Sequence, residues 1–259
     1  MPDKMKLHGF NNLTKSLSFN IYDICYAKTV REQQDYIKYI NEQYNSERLT
    51  DILMKLTGMI GATVLNISKQ DYEPQGSSVT FLIAEESMVK NRSGETVVAH
   101  LDKSHVTVHT YPEYHPETSI ATFRVDIDVT TCGQITPLST LDFLINSFDS
   151  DIITIDYRVR GFTRNLGGEK LFIDHAIASI QNYINGDILQ KYDAVDINVY
   201  QANIFHTRML IKDLILQNYL FNSDVYEIAP KVRLAITNTL RSEMIEIFSG
   251  CNVFRGGQN

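Results

Sequence analysis

Cysteine is scarce in this sequence. The 259 residues hold three, Cys25, Cys132 and Cys251, far apart and odd in number. They suggest neither a disulfide framework nor a CxxC metal site, and a reducing, cytoplasmic setting is the natural expectation. Long apolar runs are missing as well. No stretch of about 18 apolar residues occurs, and the first ten residues carry Asp3, Lys4 and Lys6 without the continuous apolar core of a signal peptide. The expectation is a protein that neither enters nor crosses a membrane. A basic stripe is the third absence: net charge is -7 and the Lys and Arg residues are scattered. Nucleic acid and anionic lipid are therefore poor candidates for the main partner. There is also no internal repeat and no low-complexity tract.

What is present is ordinary globular material. With 43% apolar residues the chain can bury a sizeable core, as one large domain or a domain plus an extension. Alternation predicts a strand over Leu17 to Asp23, and Tyr36, Ile37, Ile40 and Tyr44 share one face of one or two helices between Val30 and about Ile60. Two β-rich runs follow, Ala62 to Ser68 and Ser78 to Ala84, separated by a turn marked by Pro74 and Gly76. A polar loop over residues 85–95 leads to strand-like runs at His105 to Thr110 and Thr122 to Val129, a helix at Pro137 to Phe148 and a strand at Ile152 to Val159. Helical patterns are then read at Phe172 to Ile184, Thr207 to Tyr219 and Val232 to Phe248. The order predicts an α+β fold with an antiparallel sheet. Residues 1–160 form its core, and 161–259 a mainly helical C-terminal extension of the same domain.

The densest chemistry lies in Lys103-Ser104-His105-Val106-Thr107-Val108-His109-Thr110-Tyr111-Pro112-Glu113. Taken alone, a serine before a strand histidine is usually structural, and a lone Cys132 is usually a small buried hydrophobe. Four histidines, His100, His105, His109 and His115, lie nearby. On a strand the spacing from His105 to His109 does not bring two imidazoles together as a helix would. Period-two alternation places His105, Thr107 and His109 on one face and Ser104, Val106 and Val108 on the other. A bend near Ser104 would be needed to bring Ser104 and His109 to one side.

Three motifs together carry a resemblance: Tyr72-x-Pro74-x-Gly76-x-Ser78, then Lys103-Ser104-His105-x-Thr107-x-His109-Thr110-Tyr111-Pro112-Glu113, then Thr131-Cys132-Gly133. With the phrases KLHGFNNLTKSLSF, QDYEPQGSSVT, ETVVAHLDKSH, DYRVRGFTR and INVYQANIFHT, they resemble the S-adenosylmethionine decarboxylases of the longer, enterobacterial type. The likeness runs from about Lys6 to Phe221 and fades toward the C-terminus.

The resemblance implies a proenzyme that cuts itself between Lys103 and Ser104, leaving a β chain of residues 1–103 and an α chain of residues 104–259 that begins with a pyruvoyl group made from Ser104. It implies that Ser78 and His109 assist the cut. The pyruvoyl carbonyl would then hold S-adenosylmethionine as a Schiff base, and Cys132 would return a proton after carbon dioxide leaves, on the way to spermidine. A thiol, with an unperturbed pKa of about 8.5, suits proton donation near neutral pH. Tyr72, with Phe10 as a second candidate, is implied as the aromatic surface for the substrate, and Glu113 as the carboxylate for its ribose. The implied fold is a two-layer half, a sheet backed by helices, with halves pairing into an αββα sandwich. The implied assembly is a homodimer or a dimer of dimers with sites near or across the interface. Magnesium stimulation is implied without nameable ligands. Two alternatives remain: a pyruvoyl decarboxylase of ornithine or arginine, against which Tyr72 and Glu113 speak, and a non-processing regulatory paralogue, against which intact Ser78, Ser104, His109 and Cys132 speak.

Overall fold

The computed structural model describes residues 6–9, 11–85 and 104–252. Phe10, Lys103 and most of the polar loop over 85–95 lie outside the described residues, as does the His100 position.

The chain opens with β1 (Thr14–Tyr26), in which Lys15, Leu17, Phe19 and Ile21 point to one face and polar residues alternate with them. Helix α1 (Val30–Gln43) begins at a capping box: Glu32 N–H donates to Thr29 Oγ1, and Thr29 N–H donates to the Glu32 carboxylate. Its buried face, Gln33, Tyr36, Ile37 and Ile40, is the one the apolar spacing predicts. Asn45 caps α2 (Ser46–Met59), so the region from residue 30 to 60 is two helices. Strands β2 (Ala62–Asp71), β3 (Ser77–Glu85), β4 (Ser104–His115) and β5 (Ile120–Cys132) follow. A 3₁₀ turn over Pro137–Thr140 leads into α3 (Leu141–Asn146), then β6 (Ile152–Arg160). The remainder holds the small pair β7 (Thr163–Arg164) and β8 (Lys170–Leu171), the short α4 (Gly186–Leu189), β9 (Tyr192–Asp196), β10 (Ile204–Ile211) and α5 (Pro230–Ser249).

Eight strands form one sheet in the order β2-β3-β4-β5-β1-β6-β10-β9, and the paired strands are antiparallel throughout. The α+β class expected from the sequence is the class found. One face, carrying Phe19, Phe81, Val106, Val108, Val125, Ile127, Ile155 and Tyr157, packs against α1, α2 and α3 in the main core. Tyr44 stacks there on Phe123 and Phe148, at ring separations of 4.8 and 5.4 Å. The opposite face is polar over β3, β4, β5 and the first half of β1. At the other end of β1 it turns apolar, and Ile236, Leu240 and Met244 of α5 cover Ile24, Ile120 and Ile152. Among the described residues no helix is long and apolar enough to cross a membrane.

Two of the predicted C-terminal helices are corrected. Residues 207–211 belong to β10, where Phe205, Thr207 and Met209 are buried and His206 and Arg208 alternate with them. Residues 172–184 place Ile173, Ile177, Ile180 and Ile184 at helical spacing, yet only Ile180–Tyr183 makes a single 3₁₀ turn. Side chains, three of the four from outside the segment, take carbonyls that a helix would use internally. Asn203 donates to Phe172 O, Tyr183 to Ala176 O, and Asn198 and Tyr200 both to Ala178 O. The helix expected at Val232 to Phe248 lies within α5.

Asp151, at the edge of β6, ties the two cores together by accepting Ile24 N–H at 2.8 Å and the Tyr219 hydroxyl at 2.7 Å. Burial pushes its carboxyl up to about 6, against those two hydrogen bonds, and the charge of Asp149 adds to the rise. A folded-state value above the unfolded one gives stability that is complete at low pH and is lost as pH rises toward about 6. Asp151→Asn should therefore gain on the wild type as pH is raised from 4 to 6, by about 2 kcal/mol in all. Urea unfolding at stepped pH reads the difference, and a pH-independent gap would contradict this placement of the carboxyl.

Candidate active site

Strand β4 runs unbroken from Ser104 to His115, paired with β3 on one side and β5 on the other. Its even residues, Ser104, Val106, Val108 and Thr110, are buried, while His105, Thr107 and His109 are half-buried on the opposite face. The bend near Ser104 that would bring Ser104 and His109 to one side is therefore replaced by regular pleating. Five residues of strand separate Ser104 from His109, a span of about 16 Å. One chain thus displays two groups of candidate residues rather than one.

The first group lies where β4 begins and β5 ends. Ser104 is 6% exposed, and its Oγ accepts the Cys132 N–H at 3.1 Å across 28 residues of sequence. That bond occupies one lone pair of the hydroxyl. Cys132 is half-buried, faces away from the main core and is the register partner of Thr14, whose Oγ1 lies 4.0 Å from its Sγ. Gly133 ends the strand with φ +73°, a left-handed turn that glycine enters without strain.

The second group lies farther along β4 on the polar face. Ser78 of β3 is the register partner of His109, and His109 is that of Asp126 on β5. The Ser78 hydroxyl is 2.8 Å from the Tyr72 hydroxyl. Tyr72 stands at the turn between β2 and β3, closed by its own N–H donating to Gly76 O at 2.8 Å. Gly76 has φ +91°, and a Cβ there would lie 2.7 Å from Thr110 O, so this turn packs directly onto β4. The Tyr72 ring is 43% exposed and offers an aromatic face to a ligand. On the other flank the Tyr111 ring lies 6.3 Å from the His109 ring, with the Arg124 guanidinium 4.3 Å over Tyr111. Asp126 accepts from Arg124 at 2.7 Å and from Asn20 at 2.6 Å.

Glu113 is exposed four residues beyond His109, about 13 Å farther along β4, and joins neither group within the chain. Phe10 and Lys103, expected at the substrate and at the cut, lie outside the described residues. Among the described residues no group of three or more His, Cys, Asp or Glu side chains is placed to hold a metal ion. Residue-by-residue reading missed Thr14 opposite Cys132, and also Asn11 and Lys15, which both donate to the Gly133 carbonyl and to the carboxylate of Asp174. One signal was available: Lys15 is a charge in the apolar register of β1, between Leu13 and Leu17.

Comparison with known proteins matches the chain to a family. The S-adenosylmethionine decarboxylase family model matches residues 35–161. A Clostridium botulinum protein named S-adenosylmethionine decarboxylase proenzyme is 69% identical over 98% of this chain and 98% of its own length. Proteins of the same name from Clostridium beijerinckii and Alkaliphilus oremlandii are 68% and 67% identical, over 98% and 97% of this chain and 99% and 98% of their own lengths. A solved adenosylmethionine decarboxylase from Aquifex aeolicus is 17% identical, with a TM-score of 0.34, and covers 64% of this chain and 98% of its own. That likeness is too loose to carry a structural argument.

Proposed function

Because the chain belongs to the S-adenosylmethionine decarboxylase family, we infer that it removes the carboxyl group of S-adenosylmethionine as carbon dioxide after converting Ser104 into its own carbonyl group. The observation that carries this reading is the 3.1 Å hydrogen bond from Cys132 N–H to Ser104 Oγ. It sets residue 104 against the backbone of the residue that carries the thiol, across neighbouring strands of the sheet.

In the self-cleavage, Ser104 Oγ attacks the carbonyl carbon of Lys103, and the peptide C–N bond gives way to an ester. Loss of the Cα proton of residue 104 then breaks the ester C–O bond, and Lys103 leaves as a carboxylate. Water adds to the unsaturated end, releasing ammonia and leaving a pyruvoyl group. The neighbourhood fits such a group: the Cys132 N–H is directed at residue 104, and the half-buried thiol follows on the same residue. A pyruvoyl carbonyl supplies the electrophile for the substrate amine and the sink for the electron pair released with carbon dioxide. Cys132 holds at Sγ the proton that the product carbon requires.

His109 and Ser78 cannot reach Ser104 of their own chain, because about 16 Å of strand intervenes. The polar face of β3, β4 and β5 supplies the alternative. A second copy laid against it about a two-fold axis can set His109 and Ser78 of that copy over the Cys132 end, where they meet the thiol and the backbone of residue 104. This is the sheet-to-sheet αββα pairing expected for the family, with each chain contributing to both sites. There His109 takes the Cα proton during processing and Ser78 holds the developing oxyanion. Tyr72, bonded to Ser78, offers its ring to the sulfonium cation, a contact of roughly 0.5 to 2 kcal/mol. Glu113, farther along the same face, is assigned the ribose hydroxyls.

Carbon dioxide release compared for S-adenosylmethionine, ornithine and arginine tests the substrate, and preference for either amino acid would overturn it. Cys132→Ala should still be cleaved and carry a carbonyl at residue 104, while turnover falls by about a hundredfold or more for want of a placed proton. Normal turnover in that variant would remove Cys132 from the mechanism.

A further inference from the structure

Lys15 is 1% exposed, although it is a lysine. Its ammonium donates to Asp174 Oδ2 at 2.8 Å and to Gly133 O at 2.9 Å. The Asn11 amide repeats the pair, donating to Asp174 Oδ2 at 2.7 Å and to Gly133 O at 3.0 Å. Gly133 N–H donates to Leu13 O at 3.1 Å. Both polar groups of the residue that follows Cys132 are thus gripped from the start of β1. The grip is itself anchored, since Asp174 Oδ1 lies 2.7 Å from His175 Nδ1, and His175 Nε2 lies 3.2 Å from the buried Tyr157 hydroxyl.

Stability does not explain this network. Burying an ammonium and a carboxylate costs several kcal/mol per ion, and apolar residues of the same volume often do as well or better. What the network adds is position. The Ser104 hydroxyl leaves with Lys103 during processing, so in the working enzyme the grip on both polar groups of Gly133 is what holds the backbone from which the Cys132 side chain projects.

We propose that Asn11, Lys15 and Asp174 are positioning residues for Cys132, holding the Gly133 carbonyl so that the thiol delivers its proton to the product carbon and not to the carbon derived from Ser104. The proposal rests on the reading of Cys132 as the proton donor. Asp174 stays ionised well below the usual carboxylate range: burial pushes its carboxyl up, and hydrogen bonds from His175, Lys15 and Asn11, with the Lys15 charge, pull it down further than that.

The two destinations of the proton leave different products. Delivered to the substrate carbon, it gives decarboxylated S-adenosylmethionine and restores the carbonyl at residue 104. Delivered to the carbon of residue 104, it leaves the substrate nitrogen there. Hydrolysis then frees the decarboxylated substrate as an aldehyde, whose oxygen comes from water, and residue 104 ends as alanine. Electrons balance without an external oxidant, and the chain is permanently inactive.

The test uses full-length, processed Asn11→Ala and Lys15→Met beside the wild type. Asn11→Ala removes one donor and no charge, so the comparison survives if Lys15→Met folds poorly. Each protein is turned over with S-adenosylmethionine, and α chains beginning with alanine are counted by sequential N-terminal degradation per mole of carbon dioxide. The expected rise is about tenfold to a hundredfold in both variants, with KM changed by no more than about twofold. A purely structural role would reduce the yield of processed protein and leave alanine per carbon dioxide as in the wild type; that result in Asn11→Ala would overturn the proposal. A wild-type chain with no carbonyl at residue 104 would instead sink the underlying reading, so the two failures are distinct.

Discussion

Ser104→Ala leaves one uncut chain of 29.6 kDa and lowers decarboxylation by at least about a thousandfold. The replacement removes the only oxygen on residue 104 able to attack the preceding carbonyl, so the peptide bond stays intact and no carbonyl group forms. The fold should survive. The variant loses one hydrogen bond, that from Cys132 N–H, which is worth about 1 kcal/mol. The packing of Val106 and Val108 next along the strand is untouched. Gel analysis, carbon dioxide release and thermal unfolding together separate a chemical loss from a folding one. Cleavage that persists between residues 103 and 104 would show that another nucleophile makes the cut.

The second large effect is a rescue. His109→Ala alone should process slowly, and mixed with Ser104→Ala by co-expression it should recover. In a mixed pair built as proposed, one site combines the intact Ser104 of the His109→Ala chain with the intact His109 of the Ser104→Ala chain, and the other site carries both lesions. Random pairing makes half of the dimers mixed, so about a quarter of all sites process, well above either variant alone. The expectation rests on the spacing along β4, where Ser104 and His109 of one chain stand about 16 Å apart. Failure of the mixture to process beyond the His109→Ala background, despite demonstrated mixed dimers, would place all the processing residues within one chain.

Much of the fold could be read from local pattern, because alternation and helical spacing act over a few residues. The apolar register of β1 and the face of α1 that carries Tyr36, Ile37 and Ile40 are visible in the sequence and reappear intact. Residues 172–184 could not be read so, because four isoleucines at helical spacing say nothing of the distant Asn198, Tyr200 and Asn203 that occupy the backbone carbonyls. At the site, alternation correctly sets Ser104 with the valines and against His109. The sequence offers no clue that Cys132 N–H meets Ser104 Oγ, because that contact depends on the register of β5 along β4. Lys15 is the instructive omission: a charge in a buried register marks a partner elsewhere, and here the partner, Asp174, lies 159 residues away.

Denaturing mass spectrometry of the wild-type protein, with and without an aminooxy reagent that traps carbonyls, bears most directly on the self-made electrophile. Two chains meeting between Lys103 and Ser104, with the reagent on the N-terminus of the second, are the predicted result. A single unmodified species of 29.6 kDa under all conditions would contradict it.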